Sequence, residues 1–392
     1  MPKLLLKALA NRLVFLLLLF AVLGVGIFLG WYYIKTGSTV GWKTSQFFFS
    51  YQELGFVKRG LVGTLIHPFP ILLTPAGVVT LSCLFLAAFA LGFWKFFVDS
   101  CGAFGEAERA TLAAVCLLAP SMFLRLGFDY GRYDPLTLLL TVLAAAALVK
   151  SRDVIAALCC AAAMLIHEGF LVIGFPILCA VILSREEASA SARWRRLMRF
   201  AALPIAVTAG VVLFGRYEPG IDVLTQHFKA DARYVATVER GEVNVDALIV
   251  LTRSAKETFY YSLAFFAERK PFGHLALIGA WFYFFCRFYD GFFRRNALKR
   301  DWLYFAAFSP LLLSVTACDY FRWVALASAN MLFVVLLKAR ELHRHGRRAV
   351  VVCDLGAIVV MASCLLGPIS NTKSFPYLFL LLEKISPWPI AW

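Results

Sequence analysis

Charge is what this sequence has least of. Asp, Glu, Lys and Arg make up 16% of its 392 residues, against about 25% in an ordinary soluble domain. Hydrophobic residues reach 61% and the mean hydropathy is +0.76, which excludes a disordered chain. The ten cysteines include no C-x-x-C pair, which argues against zinc or dithiol chemistry. Most of them, such as Cys83, Cys116, Cys159, Cys160, Cys179 and Cys364, sit inside apolar runs and act there as small hydrophobes. The chain has no repeat of fixed period and no low-complexity tract. A cleavable leader is not expected either. The apolar run from Leu13 to about Leu29 ends in Trp31-Tyr32-Tyr33 rather than in an A-x-A-like site, and reads as an uncleaved first helix. The class left is a polytopic membrane protein.

Apolar stretches recur along the whole chain. The expected membrane segments are 13–34, 71–97, 110–127, 135–149, 154–166, 171–184, 198–215, 272–290, 302–317, 323–338 and 349–368. The implied fold class is all-α: a polytopic transmembrane helix bundle of about ten or eleven segments, with short and re-entrant helices, in a single integral membrane domain over 1–392. Several segments hold only about 15–18 residues, roughly 23–27 Å of helix against a hydrocarbon core of about 30 Å. Spans that short place helix ends, and the polar groups on them, within the membrane around protein or water. Residues 216–271 form the one sizeable outer loop region, and 374–392 reads as an interfacial tail.

The net charge is +15. In a membrane protein this excess anchors cytoplasmic loops to anionic lipid, so membrane lipids are expected partners and nucleic acid is not. The loops around Lys3–Arg12, Lys95–Arg109, Lys150–Arg152, Arg185–Arg199, Arg294–Arg300 and Lys338–Arg348 are the basic set, hence cytoplasmic. That puts the N-terminus inside and the C-terminus outside. Residues 154–184 are too few for two full spans, yet basic loops flank them on both sides. The arrangement that satisfies both facts is a hairpin of two half-helices turning at His167-Glu168-Gly169.

On this topology four polar groups fall on the outer side. They are Lys58-Arg59-Gly60, the turn from Asp129 through Tyr130, Gly131, Arg132 and Tyr133 to Asp134, His167-Glu168, and the turn Asp319-Tyr320-Phe321-Arg322-Trp323. Ionisable residues near membrane depth are costly and by default functional. A blander reading stands beside this one. Asp129 with Arg132, and Asp319 with Arg322, have the i, i+3 spacing of self-satisfied ion pairs. His167-Glu168 is no zinc-protease motif, because Phe170-Leu171 follow where a second histidine is needed. No metal site is expected from the spacing, although carboxylates with His167 leave a divalent cation as an alternative.

Arginines bind phosphates bidentately, carboxylates can deprotonate an acceptor hydroxyl, and aromatic rings stack on sugars. The candidate catalytic carboxylates are therefore Asp129, Asp134, Glu168 and Asp319. The candidate substrate-binding residues are Lys58, Arg59, Arg132, His167, Arg322, Trp323, Tyr130 and Tyr133. Short spans, an outward cluster of Asp, Arg and His-Glu, and one large outer loop resemble the bacterial polytopic glycosyltransferases of the GT-C superfamily and the O-antigen or exopolysaccharide polymerases. The resemblance implies an enzyme of the bacterial inner membrane. It would transfer sugar from a polyprenyl (di)phosphate donor to an acceptor hydroxyl outside the cytosol, with no required cofactor. It also implies that outer arginines engage the diphosphate, for which Arg59, Arg132 and Arg322 are the candidates. GT-C enzymes carry an acidic residue in the first outer loop; here residues 36–70 offer Glu53, in Tyr51-Gln52-Glu53. The rival class is a lipid or polysaccharide transporter or flippase, which usually shows paired repeats with broken helices.

Overall fold

The computed structural model describes residues 41–129, 131–185, 189–269, 272–315 and 319–366. The expected first span, 13–34, and the tail, 374–392, lie outside the described residues, as does Tyr130. Among the described residues the chain is all-helical, and its sole β feature is an isolated bridge between Phe104 and Ala349. The principal helices are α1 (Gly60–Ile66), α2 (Pro75–Ser100), α3 (Glu106–Leu118), α4 (Asp134–Val149), α5 (Asp153–Ile166), α6 (Phe175–Leu183) and α7 (Ala190–Phe214). They continue with α8 (Ile221–Ala230), α9 (Ala232–Thr237), α10 (Val245–Thr252), α11 (Ala255–Arg269), α12 (Phe272–Arg295), α13 (Tyr320–Arg344) and α14 (Leu355–Ala362). Among the described residues four stretches are long and apolar enough to cross a membrane: Pro75–Ala103, Glu106–Gly127, Ala190–Phe214 and Tyr320–Arg344.

Proline and local chemistry set where the helices break. The expected span 110–127 is interrupted at Pro120, which cannot continue the hydrogen-bond ladder of α3. Met122 there leaves helical geometry, at φ −99° and ψ −119°. The expected span 302–317 opens as a helix at Trp302–Ala306 and tightens into a 3₁₀ turn at Ser309–Val315, around Pro310. The segment expected from 349 becomes helical only at Leu355, because Ala349 donates its N–H to the Ala103 carbonyl at 2.9 Å and Asp354 caps the helix through the Ala357 N–H.

The chain divides into two compact units. One comprises Trp94–Phe128 and the described residues from Ala264 onward. Its central element is α13, 89% of whose most apolar window is buried by protein. Near the C-terminal end of α13, Lys338 donates to Asp301 at 2.7 Å and to Glu341 at 2.9 Å. A buried ammonium is tolerable there because it has two carboxylates. The other end of α13 carries the Asp319–Arg322 turn, about 37 Å away at 1.5 Å per residue.

The second unit comprises the described residues up to Phe93 and those from Asp129 to Leu263. Here α4, α5, α6 and α7 pack together, and their loops settle the question the basic residues raised. Arg185 donates to the Leu148 carbonyl at 2.5 Å and to Ser151 at 3.3 Å. Arg196 pairs with Asp153, and Arg193 donates to the Arg185 carbonyl at 2.8 Å. Residues 148–153, 185 and 193–196 therefore share one end of the unit. Chain leaving α5 must turn back to return there, so 154–184 is a hairpin. It breaks at 167–169, where His167 is extended at φ −157° and ψ 112°. The opposite end of α4, about 24 Å away, carries the polar groups.

The stretch 41–67 wraps that polar end. Its run of three phenylalanines supplies the anchors. Phe47 meets Tyr133 edge-on at 5.4 Å, Phe48 meets Tyr234 at 5.2 Å, and Phe49 meets Phe228 at 6.1 Å. Such pairs contribute about 0.5–1.5 kcal/mol each beyond area burial. Tyr234 shares a 2.7 Å hydrogen bond with Ser45, so its hydroxyl is not left unsatisfied in the core.

Candidate functional site

The wrapping stretch brings three carboxylates of the second unit against cations. The first is Asp129, at the turn before α4. Lys43 Nζ lies 3.0 Å from one of its oxygens and Arg132 Nε lies 3.1 Å from the other, all three side chains being buried. Gly131 allows this turn by its positive φ of 82°. Its carbonyl accepts from Gln46 Nε2 at 2.8 Å, and Gln46 also donates to the Lys43 carbonyl at 3.0 Å. Asp134 opens α4 and is buried.

The second carboxylate is Glu168, at the break of the hairpin. Arg59 clamps it with two nitrogens: Nη2 donates at 2.6 Å, and Nε at 3.0 and 3.2 Å to the two oxygens. This fork geometry is what guanidinium offers and ammonium does not. Burial pushes the Glu168 carboxyl up; the Arg59 charge, backed by Lys58, more than reverses this and holds it well below the ordinary carboxylate range. The side chain nonetheless keeps 27% of its surface exposed. Arg59 reaches it from a left-handed backbone at φ 62°, a conformation that costs a non-glycine residue about 1–2 kcal/mol. Next to it, burial lowers Lys58, the nearby Glu168 partly restoring it. Its Nζ donates to the Arg253 carbonyl at 2.7 Å. His167 is buried, and its Nδ1 accepts the Gly169 N–H at 3.0 Å. At 4.0 Å, Glu168 Oε2 is beyond hydrogen-bond reach of that nitrogen.

The third is Glu53. Arg233 Nη2 donates to it at 2.8 Å, while His67 Nδ1 and His227 Nε2 each lie 3.4 Å from one of its oxygens. Arg233 is itself clamped by Asp231, at 3.0 and 3.1 Å. Burial raises the Asp231 carboxyl, but Arg233 and the backbone N–H groups at the start of α9 outweigh it and the carboxyl falls below its usual range. Arg233 is raised further above its ordinary value, chiefly by the hydrogen bond to Asp231.

Of the residues singled out from sequence, Lys58, Arg59, Asp129, Arg132, Tyr133, Asp134, His167 and Glu168 belong to this unit. Asp319, Arg322 and Trp323 belong to the other. There Arg322 Nη1 lies 3.6 Å from Asp319, and its guanidinium covers the Trp323 ring at 4.9 Å. Both D-Y-x-R turns thus hold the i, i+3 ion pair that their spacing permits. Tyr133 and Trp323, expected as stacking surfaces, are buried, and Tyr133 spends its hydroxyl on the Gln46 carbonyl at 2.8 Å. Neither ring presents a face to a sugar in this conformation. His67, His227, Asp231 and Arg233 were not anticipated. Arg233 is 180 residues from Glu53, and nothing in local sequence couples them. Among the described residues no group of three His, Cys, Asp or Glu is arranged to hold a metal ion.

Among the described residues, fold and site together define an all-helical protein with four helices long and apolar enough to cross a membrane and a cluster of compensated carboxylates at one end of its second unit. No protein-family model matches the chain, and no curated protein or solved structure is similar to it.

Proposed function

We propose that the protein is a membrane-embedded glycosyltransferase or polysaccharide polymerase. It has about ten or eleven segments in the bacterial inner membrane, some of them short or re-entrant, with its N-terminus in the cytosol and its working face in the periplasm. It moves sugar from a polyprenyl (di)phosphate donor to an acceptor hydroxyl. Glu168 takes the acceptor proton as that oxygen attacks the anomeric carbon. The bond from that carbon to the phosphate oxygen breaks, and Arg59 and Arg132, with Lys58, offset the charge left on the phosphate. His167 fixes the backbone turn that presents Glu168. Asp129 and Asp134 are the other candidate bases, more deeply buried than Glu168. Arg322 and Asp319, in the other unit, stand as separate candidates.

The observation that carries this reading is the bidentate Arg59–Glu168 pair at a helix break, on the end of the unit opposite its arginine-rich loops. A partly exposed carboxylate beside a phosphate-binding side chain is the pairing that such a transfer requires. Glu53 supports a second assignment of the base, because two imidazoles stand 3.4 Å from it and could carry the proton onward.

Reconstituted protein given a lipid-linked glycan should extend it. Glu168→Gln should cut turnover at least 100-fold, in the range for loss of a general base, without loss of insertion. If Glu53→Gln abolishes turnover and Glu168→Gln does not, the base is Glu53. If neither substitution alters transfer, the site assignment is wrong; if lipid-linked glycan crosses the bilayer without being extended, the transferase reading fails.

A further inference from the structure

At the polar end of the second unit the cations outnumber their partners. Lys58, Arg59, Arg216 and Arg253 surround two carboxylates, Glu168 and Glu257. Glu168 is taken by Arg59. Glu257 closes a capping box with Ser254 at the start of α11, accepting the Ser254 N–H at 2.6 Å while Ser254 Oγ accepts the Glu257 N–H at 3.2 Å. Arg216 and Arg253 make no side-chain hydrogen bond or ion pair with any described residue; Arg253 lies over the Tyr261 ring at 4.0 Å.

These cations meet by construction. The Lys58 N–H donates to the Gly215 carbonyl at 2.9 Å, which sets Arg216 beside Lys58. The Tyr217 N–H donates to the Leu251 carbonyl at 2.9 Å, and Lys58 Nζ binds the Arg253 carbonyl at 2.7 Å. Three chain segments are thereby pinned so that their basic side chains gather where α7 ends. That helix is apolar enough to cross a membrane, yet only 28% of its most apolar window is covered by protein. Its last residues, Val212, Leu213 and Phe214, are 65%, 69% and 71% exposed. On α11, Tyr260, Tyr261 and Leu263 are also exposed.

An uncovered apolar helix end running into unpaired guanidiniums beside tyrosines matches a lipid in its own layers: acyl chain, glycerol and charged headgroup. We propose that Lys58, Arg216 and Arg253 form a docking site for the phosphate of an anionic glycerophospholipid, whose acyl chain lies on Val212–Phe214. Arginine forks suit the phosphate oxygens, and the local excess of two positive charges attracts the headgroup's single negative charge. The site does not depend on the transfer reading and would stand if that reading fell.

The test is titration of the full-length protein in detergent micelles with phosphatidylglycerol or phosphatidylcholine, read by native mass spectrometry. Wild type should bind phosphatidylglycerol at least fivefold more tightly. The double variant R216A/R253A should lose about 25-fold, at roughly fivefold per basic side chain near a membrane surface, with its melting temperature nearly unchanged, because neither side chain has an ion pair or side-chain hydrogen bond with a described residue and only the Arg253–Tyr261 ring contact is lost. R216K/R253K, which keeps the charge, should retain binding within about threefold. R195A/R199A, the same loss of two positive charges at the far end of α7, should alter it less than twofold. Equal loss in R195A/R199A, no loss in R216A/R253A, or competition by free glycerol phosphate at the concentrations of the lipid itself would overturn the proposal.

Discussion

The three carboxylates differ in how strongly each is committed. Asp129 is buried between Lys43 and Arg132, so removing it takes the shared carboxylate from two cations out of water, whereas removing either cation leaves Asp129 paired with the other. Glu168 is clamped yet partly exposed, as Glu53 is, so a substrate could reach either. The pH behaviour of Glu168 follows from the direction of its shift. The folded carboxyl is held below the value of about 4.3 that it has in an unfolded chain. Its contribution is therefore complete above that unfolded value and is lost only as pH falls through the folded one. Glu168→Gln should lower stability by about 2 kcal/mol, because it leaves Arg59 unpaired. The gap in melting temperature from wild type should stay constant between pH 8 and about pH 5, narrowing only in stronger acid. A gap that closes between pH 7 and pH 5 would mean that the carboxyl is raised and that Arg59 does not govern it.

At the scale of helices and turns, close backbone approach explains one short element. A Cβ on Gly63 would lie 2.1 Å from the Phe49 carbonyl oxygen. Backbone cannot swing aside as a side chain can, so α1 must shift away from the phenylalanine anchors. Gly63→Ala should cost about 1–3 kcal/mol, measured as a lower melting temperature in detergent; an unchanged melting temperature would mean that α1 does not rest on that carbonyl. Much of this level was legible from the chain. The expected segments 135–149 and 154–166 coincide with α4 and α5 to within a residue, because continuous apolar runs bounded by charged turns leave little freedom. The break at 167–169 followed from length and charge together, since 154–184 is too short for two full spans and basic loops on both sides forbid a single crossing. The anchors and the Glu53 group were not legible. A run of three phenylalanines in an apolar chain carries no mark of its partners, and pairings such as Ser45 with Tyr234, 189 residues apart, are decided only by the fold.

For the molecule as a whole, each unit separates its basic loop from its acid-bearing turn along the length of a helix. In the second unit the helix is α7, whose ends hold Arg196 and Arg216. If α7 crosses a bilayer, these ends face different compartments. In sealed proteoliposomes, turnover of externally added donor should scale with the fraction of molecules in which a cysteine at Glu218 is labelled by an impermeant maleimide. Cysteines at Ser151 and Ser191 should be labelled together, and in the complementary fraction. Turnover that tracks Ser191 instead would reverse the sidedness of the site.

The stretch 41–67 holds one member of the long-range pairs described at that end: Lys43 for Asp129, Arg59 for Glu168, and Glu53 for Arg233 and His227. A single displacement of this stretch uncouples all of them together. The acids of this protein are thus ganged to one lever, and whatever shifts it changes their reactivity as a set.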